Sequence, residues 1–238
     1  MQHKFSRTEI LIGTQGLERL KQSHVMVFGV GGVGSFAVEA LARAGVSRLT
    51  LVDYDEISLT NLNRQIHALY STIGQAKVDV MKDRIAQINP EAHVDARKEF
   101  YREEKADDFL ESQPDYVVDA IDTVSGKVSL IKECRERYIP LISSMGAGNR
   151  LSANNYKITD LSKTSGDPLA KAVRKLLRKD GITSGVKVVY SPDLPQEPLS
   201  IEIDDDSASK RQTPGSISFV PSVVGLLIAG EVVRDLLK

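Results

Sequence analysis

Four closely spaced glycines are the first residues in this chain whose types and spacing suggest chemistry. The segment GVGGVG contains Gly29, Gly31, Gly32 and Gly34 and satisfies the pattern GxGxxG. Glycines at this spacing allow a tight turn in which backbone N–H groups approach an anionic phosphate at the start of a helix. Asp53 follows 19 residues after Gly34, where its carboxylate is expected to accept hydrogen bonds from ribose hydroxyls. The pattern predicts a nucleotide site, but alone it does not choose between a dinucleotide and ATP.

A second group of polar residues favours a triphosphate. Asn61, Arg64 and Gln65 stand together in NLNRQ, and Lys77 comes 12 residues after Gln65. Two cations beyond the glycine turn suit a triphosphate better than a dinucleotide. Taken singly, Arg64 and Lys77 are equally well explained as solvated surface charges. Their occurrence in this order predicts that all four residues contact ATP.

Asp122 is the candidate for metal binding. It follows the apolar run YVVDAI, and open α/β sheets place ligand-contacting residues at the carboxyl ends of their strands. A carboxylate there can hold Mg²⁺ against phosphates. The alternative is that Asp122 caps the helix predicted to follow. The sequence contains no Ser-His-Asp or Cys-His constellation, so Arg64, Lys77 and Asp122 are the predicted catalytic residues.

Charge and cysteine content exclude several other functions. Lys and Arg number 31 against 32 Asp and Glu, so a polyanionic partner needs a local basic patch. The single cysteine, Cys134, excludes an internal disulfide and a four-thiolate zinc site. It lies at helical spacing from Val128 and Ile131, which predicts a packing role and argues against a thioester relay. With no export signal or membrane span visible, we expect a cytoplasmic protein.

These residues require a scaffold of alternating strands and helices. Short apolar runs predict parallel strands, and segments with helical periodicity separate them. The result is a doubly wound α/β sheet up to about residue 148. The predicted strands are 24–28, 48–52, 93–98, 116–121 and 141–144, and the predicted helices between them are 34–44, 74–88 and 124–138.

The remaining chain changes in character. We interpret 1–238 as a single domain, with a nucleotide-binding core over 22–148 and a substrate-binding α/β extension over 149–238. In the extension, NYKIT and VKVVYS predict strands. Two helices and a proline-rich mobile loop are also predicted there: helices over 167–179 and 223–237, and the loop over 191–216.

Five motifs in order carry a resemblance to a known superfamily. GVGGVGS, LVDYDEI, NLNRQ, GQAKV and DAIDT, between about residues 5 and 150, resemble the ATP-dependent adenylating enzymes of ubiquitin-activating type. The resemblance implies a Rossmann-like, mostly parallel sheet with helices on both faces, and ATP with Mg²⁺ as cofactors. It places Asp53 and Asp55 at the ribose. It also implies a homodimer in which Arg7 reaches the neighbouring subunit's site, while Thr123 replaces the usual Asn.

The whole chain resembles one branch of that superfamily, the tRNA threonylcarbamoyladenosine dehydratases. The motifs are RQIHALYSTIGQAKVDVMKDRIAQINP, ITDLSKTSGDPLAKAVRKLLRK and GSISFVPSVVGLLIAGEVVRDLL. The resemblance implies that ATP activates the free carboxylate of the threonylcarbamoyl group at adenosine 37 of tRNA, and that loss of water gives a cyclic form. The alternatives are adenylation of the C-terminal glycine of a small sulfur-carrier protein and, less favoured, an NAD-dependent oxidoreductase. A sulfur-transfer protein as partner stays open.

The segment DPLAKAVRKLLRK predicts an amphipathic basic helix. Its apolar residues recur at helical spacing, and its cations cover the remaining face. With the resemblance, this pattern predicts a surface for tRNA phosphates; a solvated basic helix is the alternative. The role of His67, beside NLNRQ, is open between ligand contact and packing. The residues assigned to tRNA are Lys163, Lys171, Arg174, Lys175 and Arg178, with Lys179 beside them.

Overall fold

The computed structural model describes residues 2–197, 199 and 214–238 and is built around one seven-stranded sheet. The strands are β1 (His24–Phe28), β2 (Arg48–Val52), β3 (His93–Arg97), β4 (Tyr116–Asp119), β5 (Leu141–Ser144), β6 (Lys157–Asp160) and β7 (Lys187–Tyr190). Their order across the sheet is β3-β2-β1-β4-β5-β7-β6. Neighbouring strands pair in parallel except β6, which is antiparallel to β7. The predicted doubly wound, mostly parallel α/β fold is confirmed.

Helices cover both faces of the sheet. They are α1 (Ser6–Gln22), α2 (Gly34–Ala44), α3 (Lys77–Ile88), α4 (Ala106–Leu110), α5 (Val124–Glu136), α6 (Pro168–Lys179) and α7 (Phe219–Leu236). Strand β1 alternates between two cores: Val25 and Val27 pack with α2, α3 and α7, whereas Met26 and Phe28 pack with α4 and α5. All five residues of β1 are buried, which explains why the strand is apolar from Val25 to Phe28.

Helix α7 supports the start of α2. A Cβ added to Gly225 would lie 2.3 Å from the carbonyl oxygen of Val33 and 2.9 Å from the amide nitrogen of Ala37. Glycine at this position therefore lets the two helices approach closely. Because α2 begins directly after the glycine turn, α7 braces the backbone that the sequence assigns to phosphate binding.

Several element boundaries differ from the sequence prediction. The fourth strand ends at Asp119 rather than at residue 121. Helix α3 begins at Lys77 rather than at 74, since Gly74 occupies a turn with φ of +82°. Helix α7 begins at Phe219, four residues early, because Pro221 lies in its first turn, where its missing N–H leaves no helical hydrogen bond unmade.

The extension over 149–238 contributes β6 and β7 to the same sheet. Most of the predicted loop over 191–216 lies outside the described residues, including the acidic triplet at 204–206. Cys134 is buried, as predicted, and burial raises the pKa of its thiol to about 12. Within the described part of the chain, no helix combines the length and apolarity that crossing a membrane requires.

Candidate functional site

The glycine turn lies where the chain winds to opposite sides of the sheet. Strands β2 and β4 flank β1, and the turn follows directly after the carboxyl end of β1. In open α/β sheets this position opens a crevice that binds ligands. The topology therefore places the turn at the mouth of a ligand site.

Two glycines of the turn are required by the backbone around them. Gly29 has a φ of +85°, and a Cβ on it would lie 2.5 Å from the carbonyl oxygen of Ala120. A Cβ on Gly34 would lie only 1.8 Å from the carbonyl oxygen of Gly29. By contrast, Gly31 faces open space, since a Cβ added to it would come no nearer than 3.9 Å to Nε2 of Gln65. The first and last glycines hold the turn closed, and Gly31 leaves room for a ligand.

Both polar backbone groups of Val30 are bound by side chains. Its N–H donates to Oδ2 of Asp53 at 2.6 Å, and its carbonyl oxygen lies 2.8 Å from Nε2 of His67. Since a carbonyl only accepts, Nε2 of His67 carries the proton. Val30 is itself fully buried. The turn is thus fixed at its second residue from two directions.

Asp53 serves the protein backbone as well as its predicted ribose site. Its Oδ1 accepts a hydrogen bond from the N–H of Asp55 at 2.9 Å, while Oδ2 binds Val30. Burial raises the pKa of Asp53, and the positive charge of Lys77 opposes that rise. Each carboxylate oxygen has a further lone pair, so a ribose contact remains compatible with this geometry.

The two predicted cations lie in different surroundings. Lys77 is buried, and its Nζ forms an ion pair with Oδ2 of Asp55 at 2.5 Å. Arg64 is half-buried, and its Nη1 donates to the carbonyl oxygen of Thr60 at 2.8 Å and to Oδ1 of Asn63 at 2.9 Å. Burial lowers the pKa of Arg64, although a guanidinium stays charged. Both cations are held in place by neighbouring oxygens.

Asn61 and Gln65 are both buried. Oδ1 of Asn61 accepts from the N–H of Ser58 at 3.1 Å and so shapes the short turn that precedes Arg64. Oε1 of Gln65 has no hydrogen-bond partner within the described part of the chain. A buried amide oxygen without a partner is costly, and a bound ligand or water beside Gly31 would relieve that cost.

Asp122 is exposed and lies three residues beyond the end of β4. The residue at the strand end is Asp119, whose carboxylate turns inward to Lys127 (Nζ to Oδ1, 3.1 Å) and Ser143 (Oγ to Oδ2, 2.5 Å). Thr123, not Asp122, is the N-cap residue of α5. Burial raises the pKa of Tyr54, and the charges of Asp55 and Asp122 add to that rise.

Asp122 fits a shared magnesium site. Its carboxylate makes no hydrogen bond or ion pair with other described residues. Nor do three or more His, Cys, Asp or Glu side chains cluster as a metal cage among the residues that the structure describes. Magnesium is commonly held by one or two carboxylates together with substrate phosphates. An exposed carboxylate two residues beyond Ala120, whose carbonyl group lies beside Gly29, is a donor of the kind that such a site needs.

Arg7 lies away from the crevice of its own chain. It is exposed in the first turn of α1. Nearby, Phe5 packs beside Gly45 and Lys4 forms an ion pair with Glu91 at 3.0 Å. Gly45 and Glu91 precede β2 and β3, so this part of α1 is at the amino edge of the sheet, opposite the glycine turn. A role for Arg7 in a site requires a second copy of the chain and stays a prediction.

Helix α6 starts at the edge of the sheet that carries the crevice. Asp167 caps it by accepting from the N–H of Ala170 at 2.9 Å, and its other oxygen accepts from the N–H of Gly146, just beyond β5. Four of the five cations assigned to tRNA are exposed, as is Lys179 beside them, but Arg174 is not. Its Nη1 donates to the carbonyl oxygens of Leu161 and Thr164. The exposed cations are Lys163, Lys171, Lys175, Arg178 and Lys179.

Sequence reasoning missed the buried ionic groups that support the site. Lys127 and Asp119 are both completely buried, and Arg150 pairs with Asp167 at 3.3 Å in a similar setting. Hydrophobic periodicity does not reveal this pair, because Asp119 ends a strand and Lys127 lies eight residues later in a helix. The sequence does show an aspartate inside an apolar strand and a lysine on the apolar face of the next helix, and this combination indicates a buried ion pair.

Together these residues define a class of protein. A glycine turn with free backbone space, a carboxylate at the end of β2, two cations and Asp122 all lie in the segments that follow the carboxyl ends of β1, β2 and β4. The class is the Rossmann-like nucleotide-binding α/β proteins, in a form equipped for a phosphate-rich nucleotide.

Comparisons with known proteins narrow this class. The ThiF family matches residues 5–238, and the chain belongs to that family. It is 55% identical to a tRNA threonylcarbamoyladenosine dehydratase of Bacillus subtilis, covering 100% of this chain and 96% of the relative. The Escherichia coli tRNA N6-threonylcarbamoyladenosine dehydratase, solved in complex with ATP, is 36% identical with a TM-score of 0.90, covering 98% of this chain and 93% of that chain.

A more distant relative represents the alternative considered from the sequence. The molybdopterin-synthase adenylyltransferase of Escherichia coli is 32% identical, covering 79% of this chain and 74% of the relative. The superfamily resemblance read from the five motifs is confirmed.

Proposed function

We propose that this protein is an ATP-dependent tRNA threonylcarbamoyladenosine dehydratase. The observation that carries the proposal is the crevice in which Arg64 and Lys77 lie beside an open glycine turn. The match to the Bacillus subtilis dehydratase over the full chain supports the same substrate. The ATP complex of the Escherichia coli relative supports ATP as the nucleotide.

The reaction needs cations more than it needs a base. A carboxylate oxygen of the threonylcarbamoyl group attacks a phosphorus of ATP, and a phosphoanhydride bond breaks. An atom of the same modified nucleoside then attacks the activated carbonyl carbon and loses its proton to solvent, and the original carboxylate oxygen departs on phosphorus. Negative charge builds up in the first step, so positioned cations lower its barrier. Arg64 and Lys77 fill that role, and the carboxylate is already ionised.

Magnesium would bind at Asp122, shared with the phosphates of ATP. When bound, it would supply positive charge to the phosphate oxygens. The open backbone amides of the turn would donate hydrogen bonds to the same phosphates. Asp53, with its fixed orientation, would accept from ribose hydroxyls. Asn61 shapes the Arg64 loop, and Gln65, whose Nε2 is the atom nearest to Gly31, would offer an amide oxygen that has no partner among the described residues.

The tRNA would lie along α6. Its exposed cations Lys171, Lys175 and Arg178 recur at spacings of four and three, so they share one face. Because α6 starts at the crevice edge, tRNA phosphates along this face would bring the anticodon loop toward ATP. Arg174, which braces the loop before α6, would act by holding that surface in place.

A homodimer in the cytoplasm completes the proposal. Ile10 and Leu11 on α1 are 83% and 85% exposed, an arrangement that a second copy would cover. The same contact would bring Arg7 toward the neighbouring crevice. A single buried cysteine suits a reducing compartment, and a sulfur-transfer protein as a further partner rests on the resemblance alone.

Nucleoside analysis tests the proposal. The purified protein is incubated with ATP, magnesium and tRNA carrying threonylcarbamoyladenosine, and the tRNA is digested for mass spectrometry. We expect a nucleoside lighter by one water that forms only when ATP is present. Parallel reactions with a small sulfur-carrier protein cover the alternative function. An unchanged nucleoside together with adenylation of the carrier protein would contradict the proposal.

A further inference from the structure

His67 is buried against the glycine turn, but neither the charge count nor the catalytic scheme uses it. Its side chain is 2% exposed, and Nε2 donates to the carbonyl oxygen of Val30 at 2.8 Å. The contact joins residues 37 positions apart in the chain. The buried His67 side chain thus uses its hydrogen-bond donor on one carbonyl of the glycine turn, which indicates a specific role there.

That role is to orient the peptide groups around Val30. The Asp53 carboxylate binds the N–H of Val30 at 2.6 Å, while His67 binds its carbonyl oxygen. Rotating either adjoining peptide plane would break one of these bonds inside the core. Among the described residues, the N–H groups of Gly31, Gly32 and Gly34 donate to no protein acceptor. Fixing Val30 holds these three donors where an incoming anion can accept from them.

We propose that His67 is a positioning residue for the phosphates of ATP, acting through Val30 on the amides of the glycine turn. The proposal rests on the proposed function only in naming ATP as the nucleotide. His67 does not touch the nucleotide, because its donor atom is already bound to Val30. Its Nδ1 has no partner within the described part of the chain, so Nε2 alone carries the effect.

Gln and Met form a matched pair of substitutions at this position. Their side chains have similar length and volume, but only Gln carries an N–H donor at its end. We expect His67→Met to weaken ATP binding about tenfold, as the loss of one hydrogen bond in the turn implies. His67→Gln should remain within about threefold of the natural protein. Isothermal titration with ATP, and separately with adenosine, measures both.

Adenosine distinguishes phosphate positioning from general damage to the site. It carries the base and ribose but no phosphate, so its affinity should change less than twofold in either variant. His24 supplies a second control because it is also buried, with Nε2 bound to Thr50 at 2.9 Å and Nδ1 unpaired within the described part of the chain. His24→Met should lower the melting temperature as His67→Met does, without lowering ATP affinity.

Three results would overturn the proposal. They are unchanged ATP affinity in His67→Met, equal losses for ATP and adenosine, and an equal loss in His24→Met. The outcome is independent of tRNA chemistry, since binding alone is measured. If the natural protein binds ATP but leaves the modified nucleoside unchanged, the proposed function fails while the role of His67 stands.

Discussion

Lys77 and Asp55 form an ion pair at 2.5 Å in which the lysine is buried and the aspartate is partly open to the crevice. A phosphate entering the crevice would compete with Asp55 for the same ammonium group. The pair therefore keeps the Lys77 side chain oriented before the nucleotide arrives, and binding would exchange Asp55 for a phosphate as its partner.

Removing the Lys77 charge should weaken ATP use strongly. We expect Lys77→Met to lower kcat/KM for ATP by about 10- to 100-fold, since hydrogen bonds to charged groups contribute about 1.5–3 kcal/mol. Lys82→Met on the exposed face of the same helix is the matched control and should change the value less than twofold. Steady-state assays with saturating tRNA measure both variants. Equal effects of the two substitutions would show that Lys77 does not contact ATP.

Neutralising the exposed face of α6 should affect tRNA but not ATP. The triple variant Lys171→Gln, Lys175→Gln and Arg178→Gln should bind tRNA more weakly, and its plot of log affinity against log salt should be shallower by about two to three units. Filter binding at several salt concentrations gives both quantities. A control triple variant at the exposed residues Arg19, Arg48 and Lys82 should leave the slope unchanged. An unaltered slope in the α6 variant would place the tRNA elsewhere.

The stability of the protein should fall in acid partly because of His67. Burial lowers the pKa of His67 to about 4 from its ordinary value of 6.5. The unfolded chain therefore binds a proton between these values that the folded chain does not, and stability falls as pH drops from 6.5 to 4, by at most about 3 kcal/mol. His67→Gln lacks this loss, so its free energy of unfolding should fall less than that of the natural protein. Urea titrations at several pH values measure this free energy for both proteins. An equal decrease with falling pH in the two proteins would contradict a lowered pKa of His67.

Breaking the buried ion pair between Lys127 and Asp119 should lower the stability of the protein. Both side chains are inaccessible, so Lys127→Met would leave a buried carboxylate without its cation and lower the free energy of unfolding by about 3–5 kcal/mol. Adding Asp119→Asn removes the charge and should restore more than half of that loss. Urea unfolding measures both variants. A double variant less stable than Lys127→Met alone would show that the charge is not the cause.

The scaffold was predictable because fully buried parallel strands are continuous apolar runs. β1, β2 and β5 have the bounds that their sequences predicted. β4 ends early since its last predicted residues, Ala120 and Ile121, leave the sheet after Asp119 turns inward. A pattern of apolar letters cannot distinguish an aspartate that ends a strand and pairs internally from one that faces a ligand.

The residues of the candidate site could be proposed from the sequence, whereas their contacts could not. The spacing of Asn61, Arg64 and Lys77 indicated phosphate chemistry, yet the Lys77–Asp55 pair and the internal bonds of Arg174 depend on packing between distant segments. For His67 the partner is a backbone carbonyl, which carries no sequence signal at all. Side-chain contacts with the backbone emerge only once the fold fixes which carbonyl lies nearby.

An isotope measurement shows whether the crevice uses ATP to activate the substrate carboxylate. Threonylcarbamoyladenosine in tRNA is prepared with a heavy isotope of oxygen in its carboxylate and is converted by the protein with ATP. We expect one heavy oxygen per turnover to appear in AMP or inorganic phosphate, as detected by mass spectrometry, and Asp122→Ala to abolish the transfer. Heavy oxygen found only in water, with none bound to phosphorus, would contradict ATP-dependent activation.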